Sequence, residues 1–67
     1  MNSRIKQRAE TRQKILEAAR SCFNQFGFEK ASTRAIAAQA GVAEGTIFSH
    51  FPSKEELVVA SLGEHLA

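Results

Sequence analysis

Between residues 33 and 51 three residues stand at fixed distances: Ala37, Gly41 four positions on, and Ile47 six positions after that. Ile36, Ala40 and Val42 fill the apolar positions between them. Each residue type answers a steric demand. Ala37 is small enough for a second helix to cross close by. Gly41, without a Cβ, accepts a sharp turn, and Ile47 anchors the next helix onto a core. This is the spacing of two short helices joined by a tight bend, a helix-turn-helix. Ala and Gly are common, so any two short packed helices can show such a pattern, and the flanking sequence has to agree with it.

Ahead of the motif, Ile15, Ala18, Ala19, Cys22, Phe23 and Phe26 recur every three or four residues and predict a first helix with these side chains inward. Thr11 or Ser3 is placed to cap its start, and Gly27 suits the left-handed position that ends it. Arg12, Lys14 and Arg20 then face outward. After the link 28–31, Ser32 or Thr33 caps a second helix closed by Gly41. A third runs from Ala43 or Glu44 to His50, and Pro52 stops it. Ser53 and Glu56 form a capping box for a fourth, which carries Leu57, Val58, Val59, Leu62 and Leu66. That is more apolar surface than three short helices can cover. The fourth helix is therefore expected either to run on into another domain or to dimerise.

The expected fold class is all-α: a small bundle of three helices with a helix-turn-helix, homeodomain-like, plus the start of a fourth helix. Sixty-seven residues permit one domain with a modest core, and 43% hydrophobic residues argue against disorder. Residues 1–10 read as a basic N-terminal arm and 11–67 as the domain.

Charge is unevenly spread. Arg4, Lys6, Arg8, Arg12 and Lys14 stand against Glu10 alone in the first fourteen residues, whereas Glu44, Glu55, Glu56 and Glu64 outnumber Lys54 later. A basic end meets either an anionic partner or plain solvent. The single Cys22 excludes an internal disulfide and fits a buried thiol in a reducing compartment. The longest apolar runs, such as 57–60, are too short for a membrane span or signal-peptide core, so a cytoplasmic protein with no membrane partner is expected. No enzyme is expected either. Ser49 and His50 point along different faces of one helix, Cys22 is expected to be buried, His65 and the Glu residues assemble nothing, and the chain has no Asp. No glycine-rich phosphate loop and no His/Cys pairing at ligand spacing call for a cofactor or metal.

With Ile47 and Phe51 facing inward one turn apart, Gly45 and Ser49 point away, flanked by Thr46 and Phe48. This outer face is small, polar and aromatic. It suits a major groove, although ordinary solvent exposure is its plain alternative. Gly45 lets backbone approach DNA, Thr46 offers a hydroxyl and a methyl, and Ser49 can bond either base type. Thr33-Arg34 and Ser53-Lys54 start helices and are placed to clamp phosphate. His50 can donate to phosphate, more strongly when partly protonated, or be merely solvated or core-capping. A helical protein-interaction module without DNA binding is the competing reading.

Gly27-Phe28, Ser32-Thr33-Arg34-Ala35-Ile36-Ala37, Ala40-Gly41-Val42, Gly45-Thr46-Ile47-Phe48, His50-Phe51-Pro52-Ser53-Lys54 and Leu57 together resemble the DNA-binding domain of the tetracycline-repressor (TetR) family over nearly the whole chain. The resemblance implies bacterial, cytoplasmic, nucleoid-associated repressors that bind double-stranded operator DNA as homodimers. It implies a ligand-binding and dimerisation domain, and a small-molecule inducer within it, beyond this chain. It implies DNA contacts from Thr33, Arg34, Glu44, Gly45, Thr46, Phe48, Ser49, His50 and Lys54. Three departures stand out. Ala43 replaces a frequent Ser cap, Phe48 replaces the usual Tyr and loses a hydroxyl, and Glu44 at a base-reading position either accepts from cytosine N4 or repels phosphate.

Overall fold

The computed structural model describes residues 3–66, with side chains from 4 to 63. The cap expected from Ser3 and the roles weighed for His65 and Leu66 fall on side chains outside that range. All-α architecture is found. Among the described residues four helices succeed one another: α1 (Ser3–Lys30), α2 (Thr33–Ala40), α3 (Glu44–His50) and α4 (Lys54–Leu66). α1 packs against both α2 and α4, and α3 rests on α2.

α1 begins earlier than the apolar stripe suggests. Residues 3–10, read from sequence as an arm, are helical and continuous with the rest, and Thr11 lies inside the helix and caps nothing. No Gly or Pro occurs from residue 3 to 26, and Arg, Lys, Gln, Ala and Glu are good helix formers. The regular helix breaks at Gly27, where φ 82° and ψ 163° form a combination that side chains exclude. The expected positive φ is present, but ψ is extended and not left-handed helical. The chain then makes one tight turn, with Ala31 N–H donating to Gly27 C=O at 3.0 Å.

Ile15, Leu16, Ala18, Ala19 and Cys22 of α1 meet Ala31, Ile36, Ala37, Ile47, Phe51 and Leu57 in one core. Leu16 was not on the expected inward face. It is buried because α1 is covered on two sides, by α2 and by α4. Phe26, expected inside, is 51% exposed at the end where the chain turns away. The polar groups near the core are satisfied locally. Cys22 Sγ donates to Gln39 Oε1 at 3.2 Å, and burial pushes its pKa up, so it stays a thiol. Ser61, buried on α4, donates to Val58 C=O at 2.8 Å, while Arg20 donates to the Ser61 carbonyl at 3.3 Å.

The bend between α2 and α3 is built by backbone. Ser32 caps α2 by accepting from Ala35 N–H at 3.0 Å. At the other end Gly41 adopts φ 76°, ψ 32°, the left-handed conformation. Its N–H donates to Ala38 C=O at 3.2 Å and Val42 N–H donates to Ala37 C=O at 3.0 Å. This is a Schellman motif, completed by Val42 packing on the core. Ala43 precedes α3 without a side-chain cap, whereas Ser53 caps α4 by accepting from Glu56 N–H at 3.1 Å.

Stability should respond to these ends in two ways. A Cβ at Gly41 would meet nothing within 4 Å, so a side chain there is opposed by backbone strain and not by crowding. Gly41→Val should therefore cost about 1–2 kcal/mol or more, whereas Gly41→Asn, which tolerates this conformation, should cost distinctly less. Equal loss in thermal unfolding would show that crowding decides. Ala43→Ser should raise stability by about 1 kcal/mol by supplying the missing cap, read as a rise of about 4–8 °C in Tm.

Candidate nucleic-acid interface

α3 is held down by two residues, Ile47 at 1% and Phe51 at 4% exposure, and this fixes which side faces out. Gly45 and Ser49 are exposed, Phe48 is 44% exposed, and Thr46 and His50 are half-buried on the flanks. The periodicity of a helix pinned along one line leaves no other arrangement. Arg34 and Glu44 are exposed, and Thr33 and Lys54 half-buried, at the starts of α2, α3 and α4. All nine residues singled out by sequence thus reach the surface of the described part.

Their hydroxyls and charges are not idle. The Thr33 hydroxyl donates to Glu44 Oε2 at 2.7 Å, joining the first turn of α2 to the first turn of α3. The Ser49 hydroxyl donates to Thr46 C=O at 2.9 Å, so in this state Ser49 offers lone pairs and not a proton. That narrows the expectation that it bonds either base type. Lys54 Nζ sits 4.5 Å from the centroid of the Phe28 ring and donates to Glu29 C=O at 3.4 Å, while Phe28 stacks on Phe23 at 5.8 Å. The lysine expected only as a phosphate clamp therefore also braces the start of α4 against the last turn of α1, beyond Gly27.

Arg8, read from sequence as part of a basic arm, and Arg12, expected to face outward from the first helix, both belong to this surface. Arg8 donates to Ser49 C=O at 3.3 Å, where α3 ends and its carbonyls lack helical partners. Arg12 lies over the Phe51 ring at 5.1 Å from its centroid. A usable signal existed: Arg4, Arg8 and Arg12 recur every four residues and share a face if the helix starts by residue 4. Reading 1–10 as an arm hid it.

These arginines change the expectation for His50. Burial lowers its pKa from the usual 6.5, and repulsion from Arg8 and then Arg12 lowers it further. Both effects favour the neutral ring in the free protein, so the partial protonation that would strengthen a phosphate contact is disfavoured there. Among the described residues no three His, Cys, Asp or Glu side chains gather into a metal site, and no helix is long and apolar enough to cross a membrane.

The histidine gives a pH prediction. Because its folded pKa lies below the unfolded value, the unfolded state binds the extra proton, and stability present above pH 6.5 declines as pH falls through the lowered value. In His50→Asn the part of that decline lying between about pH 6.5 and 5, above the carboxylate range, should be smaller in thermal unfolding. An identical decline would place the titration elsewhere.

Comparison with known proteins agrees with this geometry. The family profile described as "Bacterial regulatory proteins, tetR family" matches residues 15–61. The chain is 44% identical over 57 residues to the HTH-type transcriptional repressor AcnR of Corynebacterium efficiens, covering 85% of this chain and 30% of that protein. It is 40% identical over 58 residues to the repressor KstR of Mycobacterium tuberculosis, covering 87% of this chain and 26% of that protein. It is 46% identical over 50 residues to the regulator UidR of Escherichia coli K12, covering 75% of this chain and 26% of that protein. It thus spans less than a third of the length of these relatives. No solved structure matches it. A match over the whole helix-turn-helix, with relatives above 40% identity across that segment, places the chain in the tetR family of bacterial regulatory proteins.

Proposed function

We propose that this chain is the operator-reading part of a transcriptional repressor, with α3 lying in the major groove of duplex DNA. The observation that carries this reading is the exposed face of α3, Gly45 and Ser49 foremost, fixed rigidly by Ile47 and Phe51. A groove about 12 Å wide admits one helix with short side chains. Gly45 allows close backbone approach, Thr46, Ser49 and Glu44 supply polar groups toward base edges, and Phe48 supplies an apolar surface for sugar or a thymine methyl.

Phosphate contacts come from Arg34 at the start of α2 and Lys54 at the start of α4. Arg8, beside the last turn of α3, adds a third cation on the same side as His50. A phosphate near His50 would favour its protonated form and so raise its pKa. The AcnR and KstR relatives are named transcriptional repressors, and repression is the reading carried over from them; we propose that it works by blocking polymerase. In the whole regulator two copies would seat their α3 helices in successive major grooves, and a small-molecule inducer bound outside this chain would change their separation.

A protein contact has support of its own on α4, where Val59 is 68% and Leu62 60% exposed. That surface is compatible with DNA reading, because it suits a second copy or further parts of the regulator.

Salt titration tests the reading. Affinity for duplex should fall with log salt by about 0.9 per phosphate contacted. Arg34→Ala should weaken binding to all sequences alike and flatten that slope by about 1, whereas Ser49→Ala should change preference among sequences. Absence of salt-dependent duplex binding would leave only the protein-interaction reading.

A further inference from the structure

Glu44 is an acid on a surface otherwise read as meeting a polyanion, and the structure ties it down by the 2.7 Å bond from the Thr33 hydroxyl. A hydroxyl carries one proton. While Thr33 donates to Glu44 it cannot also donate to a phosphate, which offers acceptors only. A phosphate contact through the Thr33 hydroxyl is therefore at odds with its observed partner, whereas the contact expected from the backbone amides that open α2 does not involve this bond.

The bond has a second effect. Glu44 lies one turn before Phe48, on the flank of α3 adjoining the first turn of α2, and both residues are exposed. One bond to Oε2 restrains a flexible side chain, yet the carboxylate keeps the acceptor positions of its other oxygen. The major-groove edges respond differently to such an acceptor. Guanine shows O6 and N7, and thymine shows O4, all acceptors that repel it. Adenine pairs its N6 donor with the N7 acceptor. Cytosine alone presents its N4 donor without an adjacent acceptor on its own edge.

We propose that Glu44 selects a C·G pair at one position of each half-site, and that the Thr33 hydroxyl positions Glu44 instead of binding phosphate. This rests on α3 being the base-reading helix and adds the identity of one base pair it reads. The negative charge is then a device of specificity. It lowers general affinity for DNA while rejecting the guanine and thymine edges, which present only acceptors to it.

The test is selection of bound duplexes from a random-sequence pool with the wild-type chain, Glu44→Gln, Glu44→Ala, Thr33→Val and Thr33→Ser, each checked by thermal unfolding. The wild type should enrich C·G at one position, by about 5- to 100-fold over other pairs. Glu44→Gln should shift that position to A·T, because a carboxamide matches adenine N6 and N7 together. Glu44→Ala should leave it unselected. Thr33→Val should relax that position alone by severalfold, and Thr33→Ser should restore it. Retention of C·G by Glu44→Gln would remove Glu44 as the reader, and uniform weakening by Thr33→Val with the preference intact would return Thr33 to the phosphate. Enrichment of no duplex by the wild type would be a different failure, overturning the reading of α3 and this assignment with it.

Discussion

The left-handed turn at Gly41 sets everything downstream of it. Two backbone bonds, from Gly41 to Ala38 and from Val42 to Ala37, close α2 and redirect the chain within three residues. Because these bonds are local, the angle between α2 and α3 does not depend on the long side chains around it. Ile47 and Phe51 then drop into the core, and the outward direction of Gly45 and Ser49 is the geometric remainder. A site built this way is preorganised. A rigid helix face loses little conformational freedom on meeting a groove, whereas a mobile loop would lose much.

Electrostatics couples that face to a distant stretch of chain. α1 is long enough to carry Arg8 to the carbonyl end of α3 and Arg12 over Phe51, so the first helix supplies both core and charge. Burial depresses the basicity of His50, and the same cations depress it further. At the other end of α3 Glu44 is held by Thr33. α3 is thus flanked by opposite charges, with uncharged residues between them. An arrangement of this kind favours one orientation on an anionic duplex over its reverse.

Much of this was legible in the residues. Small Ala37, flexible Gly41 and anchoring Ile47 carry backbone information that needs no tertiary context, and Ser32 and Ser53 act as caps as their type suggests. What could not be read was placement across the fold. Leu16 is buried because two helices flank α1, a fact that periodicity on one helix does not contain. The Thr33 to Glu44 bond spans eleven positions, the Arg8 to Ser49 bond forty-one, and Lys54 reaches back to Phe28 and Glu29. Each arises from packing, so sequence spacing carries no trace of it. The helical start at residue 3 is different. Nothing between residues 3 and 26 breaks a helix, and the basic composition alone suggested an arm.

The central claim is that the outer side of α3 is what meets nucleic acid. Residue-resolved NMR of the chain titrated with duplex DNA measures this directly. The largest amide shifts are predicted across residues 44–50, accompanied by Arg8, Arg34 and Lys54, and they should collapse at high salt. Shifts concentrated on Val59 and Leu62, with Gly45 and Ser49 unmoved, would contradict it.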